Sequence, residues 1–358
     1  MSIARINLRC LLSALLQLLL VLNLWTGAQA AELRVLSLNA QWFPGRTPRP
    51  SRAQRVRHIK DVQHLLAKVN PDVWLVQEVQ DRAALKKALR VLPDMKIHVY
   101  TKFHSGLQLA IASRLKPLAA GYEEWGRSKP DPPRGYAFCV FDTGGKGRLA
   151  VYNVHFKSNY AGPGADTTES ENIAMRESSA RQLTFHLSDI KSQFVAGATV
   201  LIGGDFNVAY PRSLYKRERT VKILRDAGLE WQGGGGYDHF FGKGSLSAKA
   251  RSLREYDLSD HDPILCVANL PGKAEIARAR PLTLKEAAAD LGTGLTDINT
   301  ADQSELESLP MIGPVKARRI IEGRPYKKTR DLLKVKGIGP AILDKIMDSI
   351  TVITADPT

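Results

Sequence analysis

Residues 200–207 combine a predicted strand with two side chains that can do chemistry. An apolar run predicts the strand, and the two glycines after it allow a tight turn or the close approach of a ligand. Asp205 and Asn207 then follow two apart, so on extended backbone both face the same way. Such a carboxylate and amide suit the activation of water and the binding of an oxyanion. The alternative interpretation is a polar turn.

Similar polar residues end or interrupt other apolar, strand-like runs of the chain. Residues at the same ends of neighbouring strands converge in space, which predicts a shared site. Carboxylates and amides suit Mg²⁺, Mn²⁺ or Ca²⁺ better than zinc, and histidines beside them can bind phosphate or transfer protons. Taken singly, each residue is more simply a cap or a turn residue. The set comprises Asn39, Glu78, His155, Asp205, Asn207, Asp238, Asp260 and His261.

Hydrophobic periodicity predicts alternating strands and helices that would position this set. Strands are expected near 33–38, 73–77, 97–100, 107–113, 136–141, 149–155, 200–202 and 264–270. Helices are expected over 52–69, 81–90, 171–195 and 217–227. Residues 158–170 are expected to form a loop, and the glycines of 233–236 a flexible run.

Length and charge point to a globular protein with a polyanionic partner. The chain has 358 residues, enough for more than one domain, and 44% of them are apolar. Its formal net charge of +15 predicts attraction to nucleic acid, anionic lipid or phosphorylated substrates. A basic surface that is merely solvated is the alternative interpretation.

The first thirty residues have the pattern of a secretory signal peptide. Basic Arg5 and Arg9 precede a leucine-rich stretch and an Ala28-Gln-Ala30 cleavage pattern. We therefore expect cleavage after residue 30, a periplasmic or secreted protein, and no stable membrane span after cleavage. Cys139 and Cys266 lie in apolar runs typical of core residues, which we favour over a disulfide between them.

Six motifs in order along the chain resemble those of the endonuclease/exonuclease/phosphatase superfamily. They are Leu38-Asn39, Gln77-Glu78-Val79, Asn153-Val-His155, Gly204-Asp-Phe-Asn207, Tyr237-Asp-His-Phe240 and Ser259-Asp-His261. Each motif is weak alone, but the ordered set is specific. The resemblance implies a two-sheet, four-layer α/β sandwich over residues 31–270 that hydrolyses phosphoester bonds with a divalent metal.

The resemblance also implies the metal ligands. Glu78 would be the principal ligand of a Mg²⁺ ion, or of Mn²⁺ or Ca²⁺, with Asn39 and Asp260 completing its shell. Abasic-site endonucleases of this type carry an acidic residue where this chain has Gln41. That departure argues against dedicated cleavage at abasic sites.

The other motif residues are implied to act on water and phosphate. Asp205 would orient or deprotonate the attacking water, while Asn207 and His155 would hold the phosphate oxygens. His261 would stabilise the developing negative charge and would be oriented by Asp238. A metal ion and imidazole donors would neutralise the phosphodiester charge that repels a nucleophile.

After a predicted linker over 271–295, residues 296–353 contain an internal near-repeat. Residues 309–317 match 335–343, and each copy predicts a short helix, a glycine-bearing hairpin and a second helix. The repeat resembles a small, all-α tandem helix–hairpin–helix domain, similar to the DNA-receptor domains of bacterial competence systems.

That resemblance implies sequence-independent binding of the DNA phosphate backbone. Gly313 in the first hairpin and Gly337 and Gly339 in the second would let backbone N–H groups approach phosphate. Met311 stands where a glycine is usual, which predicts weaker binding by the first hairpin. A packing or protein-contact hairpin is the alternative. The basic residues beside the hairpins are Lys316, Arg318, Arg319, Lys327, Lys328, Lys334 and Lys336.

Together these observations predict a secreted or periplasmic, metal-dependent nuclease tethered to DNA, with no protein partner evident. One alternative is a phosphodiesterase or phosphatase that acts on phospholipid or inositol-phosphate substrates. Another is a DNA-binding or uptake protein with an inactive catalytic fold.

Overall fold

The computed structural model describes residues 31–144, 147–161, 164–193, 198–211, 217–244, 246–270, 276–289, 296–307, 309–347 and 349–352. The predicted signal peptide lies outside these residues, as do both ends of the predicted linker. Within these ranges, no helix is long and apolar enough to cross a membrane.

The N-terminal part is built on one continuous sheet that folds over on itself as two layers. Its strand order is β3-β4-β2-β1-β12-β11-β9-β10-β8-β7-β6-β5. The strands are β1 (Ala31–Phe43), β2 (Val73–Val79), β3 (Lys96–Tyr100), β4 (Gln108–Ser113), β5 (Pro117–Glu124), β6 (Gly135–Gly144), β7 (Gly147–His155), β8 (Thr199–Asp205), β9 (Glu230–Gly235), β10 (Asp238–Lys243), β11 (Ser247–Ser252) and β12 (Ile264–Leu270).

The two layers pack face to face through an apolar core. Val35 of β1 and Leu75 of β2 belong to the same buried cluster as Val151, Leu201 and Phe240 from the other half of the sheet. Hydrophobic side chains on alternate positions of each strand therefore fill the space between the layers. Cys139 and Cys266 lie in this cluster as free, buried thiols.

Helices cover both outer faces and complete four layers, as predicted. The helices α1 (Arg52–Val69) and α2 (Arg82–Ala88), followed by a 3₁₀ turn at Leu89–Val91, cover the layer of β1 and β2. The opposite layer is covered by α3 (Glu169–Gln193) and α4 (Thr220–Asp226). Ser51 and Gln54 form a capping box at the start of α1, which explains why that helix begins there.

The expectation of a flexible run over 233–236 was wrong, because Gly233 and Gly234 lie inside β9. A Cβ at Gly233 would lie 2.1 Å from the carbonyl oxygen of Ala250 in β11, and one at Gly234 would lie 2.3 Å from the carbonyl oxygen of Asp238. The glycines thus permit the close backbone contacts that join the two halves of the sheet. Strands β5, β10 and β11 were also not predicted.

The C-terminal module has its own apolar core, formed by residues 298–350. Its elements are β13 (Thr296–Asp297), α6 (Gln303–Glu307), α7 (Pro314–Glu322), a 3₁₀ helix (Thr329–Lys334), α8 (Pro340–Met347) and β14 (Ile350–Thr351). The module is therefore not strictly all-α, because β13 and β14 pair in parallel at its two ends. In the linker, α5 (Leu284–Ala289) packs Ala287 into the core beneath α1.

Two buried histidines are held neutral by their hydrogen bonds. His58 in α1 accepts the Gly45 N–H at Nδ1, 2.8 Å away. His239 in β10 lies 2.7 Å from the Val208 carbonyl oxygen through Nε2, and its Nδ1 accepts the Trp231 indole N–H at 3.4 Å. In each ring one nitrogen must stay unprotonated to accept a hydrogen bond.

These histidines predict a loss of stability in acid. The pKa of each ring is lowered to about 4, mainly by burial and for His58 also by the Arg46 charge. Between pH 6.5 and 4 the unfolded chain binds protons that the native chain does not. The free energy of unfolding therefore decreases as the pH is lowered through this range. Each histidine contributes at most about 1.4 kcal/mol per pH unit.

The measurement is urea unfolding of the full chain across that range. His58→Gln removes one titrating ring and keeps an acceptor for Gly45, so its stability should fall less steeply with acid than that of the parent. The exposed His104→Gln is the control and should keep the parent slope. Equal slopes for His58→Gln and the parent would contradict the assignment.

Candidate active site

Strand register brings the predicted residues to one edge of the sandwich. In the second layer, His155 at the end of β7 lies opposite Asp205 at the end of β8, and Asp238 at the start of β10 also pairs with Asp205. In the first layer, Asn39 near the end of β1 pairs with Gln77, the neighbour of Glu78 in β2. Consecutive strand ends therefore deliver these side chains to one place.

The amide of Asn39 connects the two layers. Its Nδ2 donates to Glu78 Oε1 at 3.1 Å and to Asp205 Oδ2 at 3.0 Å. Glu78 also accepts the Trp42 N–H through Oε2 at 3.1 Å, where β1 bulges away from its regular pairing with β2. Glu78 itself has a left-handed backbone with φ of 59°. Local strain of this kind is retained where the surrounding structure fixes it.

Asp205 is fixed on both carboxylate oxygens. Oδ1 accepts the Asn207 N–H at 2.8 Å, while Oδ2 accepts from Asn39 and lies 3.4 Å from His155 Nε2. The same His155 nitrogen lies 3.8 Å from Glu78 Oε1. Asn207, also left-handed, donates Nδ2 to the Phe156 carbonyl oxygen at 3.2 Å.

The second histidine forms a short pair with an aspartate. His261 Nδ1 lies 2.6 Å from Asp238 Oδ2, and its Nε2 lies 3.9 Å from Asp205 Oδ2. The other oxygen of Asp238 is buried and has no hydrogen-bond partner among the described residues. The pair therefore lies against the Asp205 carboxylate, and the Nε2 of His261 is directed at the shared site.

The two imidazoles are held in opposite protonation states. Burial lowers the pKa of His155 well below its usual range, and the charges of Arg134 and His261 lower it further. Burial also lowers the pKa of His261, but the hydrogen bond and charge of Asp238, together with the charges of Asp205 and Asp260, outweigh burial and raise it to about 10. At neutral pH His155 is a neutral imidazole and His261 an imidazolium.

The acidic groups fit a hard divalent cation at Glu78. Burial raises the pKa of Glu78, and that of the adjacent Asp205, because two buried carboxylates are costly without a cation. The oxygens and nitrogen of Asp205, Asp238 and His261 also lie within 4.8 Å of one another. We favour Glu78 for the ion, because Asp238 Oδ2 and His261 Nδ1 are already paired with each other at 2.6 Å.

Asp260 does not join the buried cluster. It is exposed, and its Oδ1 accepts a hydrogen bond from the Ser259 hydroxyl at 3.3 Å. The Ser259 hydroxyl also donates to the Asn39 carbonyl oxygen at 2.6 Å, which ties the loop before His261 to β1. The structure thus places the Asp260 side chain at the exposed rim of the site, where its charge acts on His261.

In the C-terminal module the two hairpins occupy matching positions. Gly313 is the N-cap of α7, Gly339 precedes α8, and a Cβ at either glycine would meet no atom within 4 Å. Gly337 has φ of 95°, and the matching Met311 has φ of 63°. A side chain in that left-handed position makes the first hairpin the more strained of the two.

Some of the basic side chains beside the hairpins bond to the module itself, and others are exposed. Lys316 donates Nζ to the Met311 carbonyl oxygen at 2.9 Å and so braces its own hairpin. Arg318 and Lys336 are exposed. The two hairpins therefore present open backbone with cationic side chains alongside.

A family model described as the Endonuclease/Exonuclease/phosphatase family matches residues 36–261, which include every residue of the cluster. The chain belongs to the endonuclease/exonuclease/phosphatase family. A second model, described as the helix-hairpin-helix motif, matches residues 294–351.

Two curated relatives match parts of this family member. A deoxyribonuclease from Thioalkalivibrio sp. (strain K90mix) is 37% identical over 91 residues, which are 25% of this chain and 23% of that protein. ComE operon protein 1 from Bacillus subtilis (strain 168) is 42% identical over 69 residues, 18% of this chain and 34% of that protein. The matches thus span about a quarter and a third of those proteins.

Solved structures share the fold. Sphingomyelinase C from Streptomyces griseocarneus superposes with a TM-score of 0.50 at 19% identity, covering 67% of this chain and 100% of that one. An endonuclease/exonuclease/phosphatase protein from Bacteroides vulgatus gives a TM-score of 0.50 at 15% identity, covering 67% and 99%. At these identities the likeness establishes the fold alone.

The family motifs did not identify Arg134, which lies against the site. Its Nε donates to the His155 carbonyl oxygen at 3.1 Å and its Nη2 to the Phe156 carbonyl oxygen at 2.6 Å. Its charge lowers the pKa values of Glu78 and Asp205, although burial raises both more strongly. Arg134 precedes β6, and because β6 is antiparallel to β7, the start of β6 lies beside the end of β7. The sequence signal that could have identified Arg134 is a polar residue directly before a strand that pairs in antiparallel with its neighbour.

We predict that Arg134→Gln slows hydrolysis of the phosphodiester bis(p-nitrophenyl) phosphate by about tenfold or more at neutral pH. The variant loses the cation beside two buried carboxylates and the clamp on the His155 peptide. Arg134→Lys should rescue only partly, because an ammonium lacks the planar fork that reaches both carbonyls. The exposed Arg181→Gln on α3 is the control. Rates of Arg134→Gln within about twofold of the parent would refute this role.

Proposed function

We propose that this protein is a divalent-metal-dependent nuclease that hydrolyses phosphodiester bonds of DNA and holds DNA through its helix–hairpin–helix module. The observation that carries the proposal is the meeting of Asn39, Glu78, His155 and Asp205 within hydrogen-bonding or ion-pair distance across two sheet layers. The helix–hairpin–helix match in the same chain favours DNA among phosphodiester substrates.

Glu78 and the oxygen of Asn39 would hold the metal. For Asn39 this requires its amide to turn, because Nδ2 now faces the carboxylates and Oδ1 accepts the Gln41 N–H at 3.1 Å. The bound ion would supply positive charge beside the phosphate and lower the pKa of water. Mg²⁺ is the ion we propose, and Mn²⁺ or Ca²⁺ would suit the same oxygen ligands.

Asp205 would activate the attacking water. Its Oδ1 is held by the Asn207 N–H at 2.8 Å, so its direction does not depend on substrate. Because burial raises its pKa, it is a stronger base than an exposed aspartate and can accept a proton from water. The neutral His155 can donate Nε2–H to a phosphate oxygen. Asn207, whose Nδ2 donates one N–H to the Phe156 carbonyl oxygen at 3.2 Å, can offer the second N–H to the same phosphate.

His261 would stabilise the negative charge that develops during hydrolysis of the phosphodiester. As an imidazolium held by Asp238, it brings a full positive charge and a donor to the same site. A fixed cation in a partly buried site stabilises charge without having to reorganise during the reaction. The short Asp238 bond fixes the ring so that Nε2 stays directed at the substrate.

The module at residues 294–351 would raise the local concentration of DNA at the catalytic site. Its open glycine hairpins and cationic side chains suit phosphate contacts that ignore base sequence. We further propose that the protein acts outside the cytoplasm, on the strength of the signal-peptide pattern in residues 1–30.

The test is nicking of supercoiled plasmid by the chain that starts at residue 31. We expect nicking with Mg²⁺, none with a chelator, and a loss of about a thousandfold or more in Asp205→Ala. Asp226→Ala is a matched control, because Asp226 is an exposed carboxylate on α4 paired only with Lys222 among the described contacts.

Nicking that survives chelation would exclude the metal-dependent mechanism. No nicking by the parent, with DNA still bound, would favour the inactive DNA-binding or uptake protein instead. If the protein cleaves lipid or inositol phosphodiesters but does not cleave DNA, its substrate belongs to that class instead.

A further inference from the structure

The C-terminal module contains a cleft of about 850 Å³ that is separate from the tips of the hairpins. It lies between the end of α7, the segment that connects the two motifs, and the start of the second hairpin. Its lining includes the cations Arg319, Lys327, Lys328, Lys334 and Lys336. We propose that this cleft, which we call the connector cleft, binds the backbone of a single-stranded DNA segment continuing from duplex held by the hairpins. The inference rests on the proposed DNA-binding function.

The charge of the connector cleft fits an anion. Against its five cations stand two carboxylates, Glu322 and Asp331. The Asp331 carboxylate is already used, because Oδ2 accepts the backbone N–H groups of Lys327 and Lys328, each at 3.0 Å, and Oδ1 accepts Lys334 Nζ at 3.0 Å.

Two other lysines of the cleft are available to a ligand. Lys327 and Lys336 are exposed, and among the residues that the structure describes their ammonium groups have no side-chain partner. A strand of nucleic acid carries one phosphate per nucleotide, so spaced lysines along a cleft match its backbone.

The connector cleft continues directly from the second hairpin. Lys336 lines the cleft and is followed by Gly337 of the hairpin. Arg319 of α7 donates Nη1 to the Lys336 carbonyl oxygen at 2.9 Å, so the wall of the cleft and the hairpin are fixed together. An anionic chain can therefore run from the hairpin backbone into the cleft without a gap.

The shape of the connector cleft selects a single strand. Duplex DNA presents a convex surface that rests on projecting hairpins, whereas a single strand can enter a concave cleft. The lining aromatic Tyr326 is buried, and its hydroxyl donates to the Ile320 carbonyl oxygen at 2.8 Å. It is therefore not free to stack on bases, and we expect binding without base preference.

The test compares two DNAs with the full chain from residue 31, carrying Asp205→Ala so that neither DNA is cleaved. One DNA is a short blunt duplex and the other is the same duplex with a single-stranded thymidine tail, each followed by fluorescence anisotropy. We expect the tailed duplex to bind about fivefold more tightly or better, and this advantage to shrink with added salt.

The double variant Lys327→Gln, Lys328→Gln should lose the preference for the tail, so that its affinities for tailed and blunt duplex lie within about twofold of each other. Lys345→Gln, an exposed lysine on α8 outside the cleft, is the matched control and should keep the parent's preference. Salt-dependent binding of blunt duplex by the double variant shows that its module is folded.

Three results would overturn the inference. An equal loss for blunt and tailed DNA would make the cleft part of the duplex-binding surface. Duplex binding by the parent with no preference for the tail would refute the cleft alone. Binding of neither DNA by the parent would refute the proposed tether, and the cleft with it.

Discussion

The side-chain amide of Asn39 is the contact on which the active site depends, because it joins two carboxylates that come from different layers of the sandwich. Glu78 belongs to the first layer and Asp205 to the second, and Asn39 donates to both. Without a donor or a cation between them, two buried carboxylates would repel each other and resist ionisation. The bridge therefore sets the position of Glu78 relative to Asp205, and a bound cation would take its place between the two carboxylates.

A second polar bridge beneath the site fixes the same relation between the layers. Asn153 of β7 donates Nδ2 to the carbonyl oxygens of Val76 and Ala110 in the opposite layer, at 3.0 and 2.9 Å. Its Oδ1 accepts from Gln77 Nε2 at 2.6 Å. Buried hydrogen bonds are directional, unlike apolar contacts, so they specify one alignment of the layers. Gln77 and Asn153 each lie close in sequence to a site residue, Glu78 and His155, and the alignment carries those residues into place.

Much of this arrangement could be predicted from the sequence, since the relevant signals are local. Strand patterns followed by polar residues identified Glu78, His155 and Asp205, and strand register then brought them together. Arg134 could not be found in this way, because its place depends on the antiparallel pairing of β6 with β7, which local periodicity does not encode. Asp260 lies in a short loop whose direction is set by the Ser259 contact, so sequence order alone could not place it at the rim.

The glycines of β9 also could not be placed from the local sequence pattern. Four consecutive glycines are typical of a flexible segment, yet here they allow backbones to meet where the two halves of the sheet join. The competing interpretations differ only in what surrounds the glycines, which is a tertiary property.

We propose that Glu78 holds the metal, whereas Asp238 and His261 form a separate charge-stabilising pair. This assignment can be tested by titrating the chain with Mn²⁺ and following the electron paramagnetic resonance signal of the free ion. We expect Glu78→Gln to weaken Mn²⁺ binding by about a hundredfold, whereas Asp238→Asn should stay within about threefold of the parent. Undiminished binding by Glu78→Gln, with a large loss in Asp238→Asn, would contradict it and place the ion among Asp205, Asp238 and His261 instead.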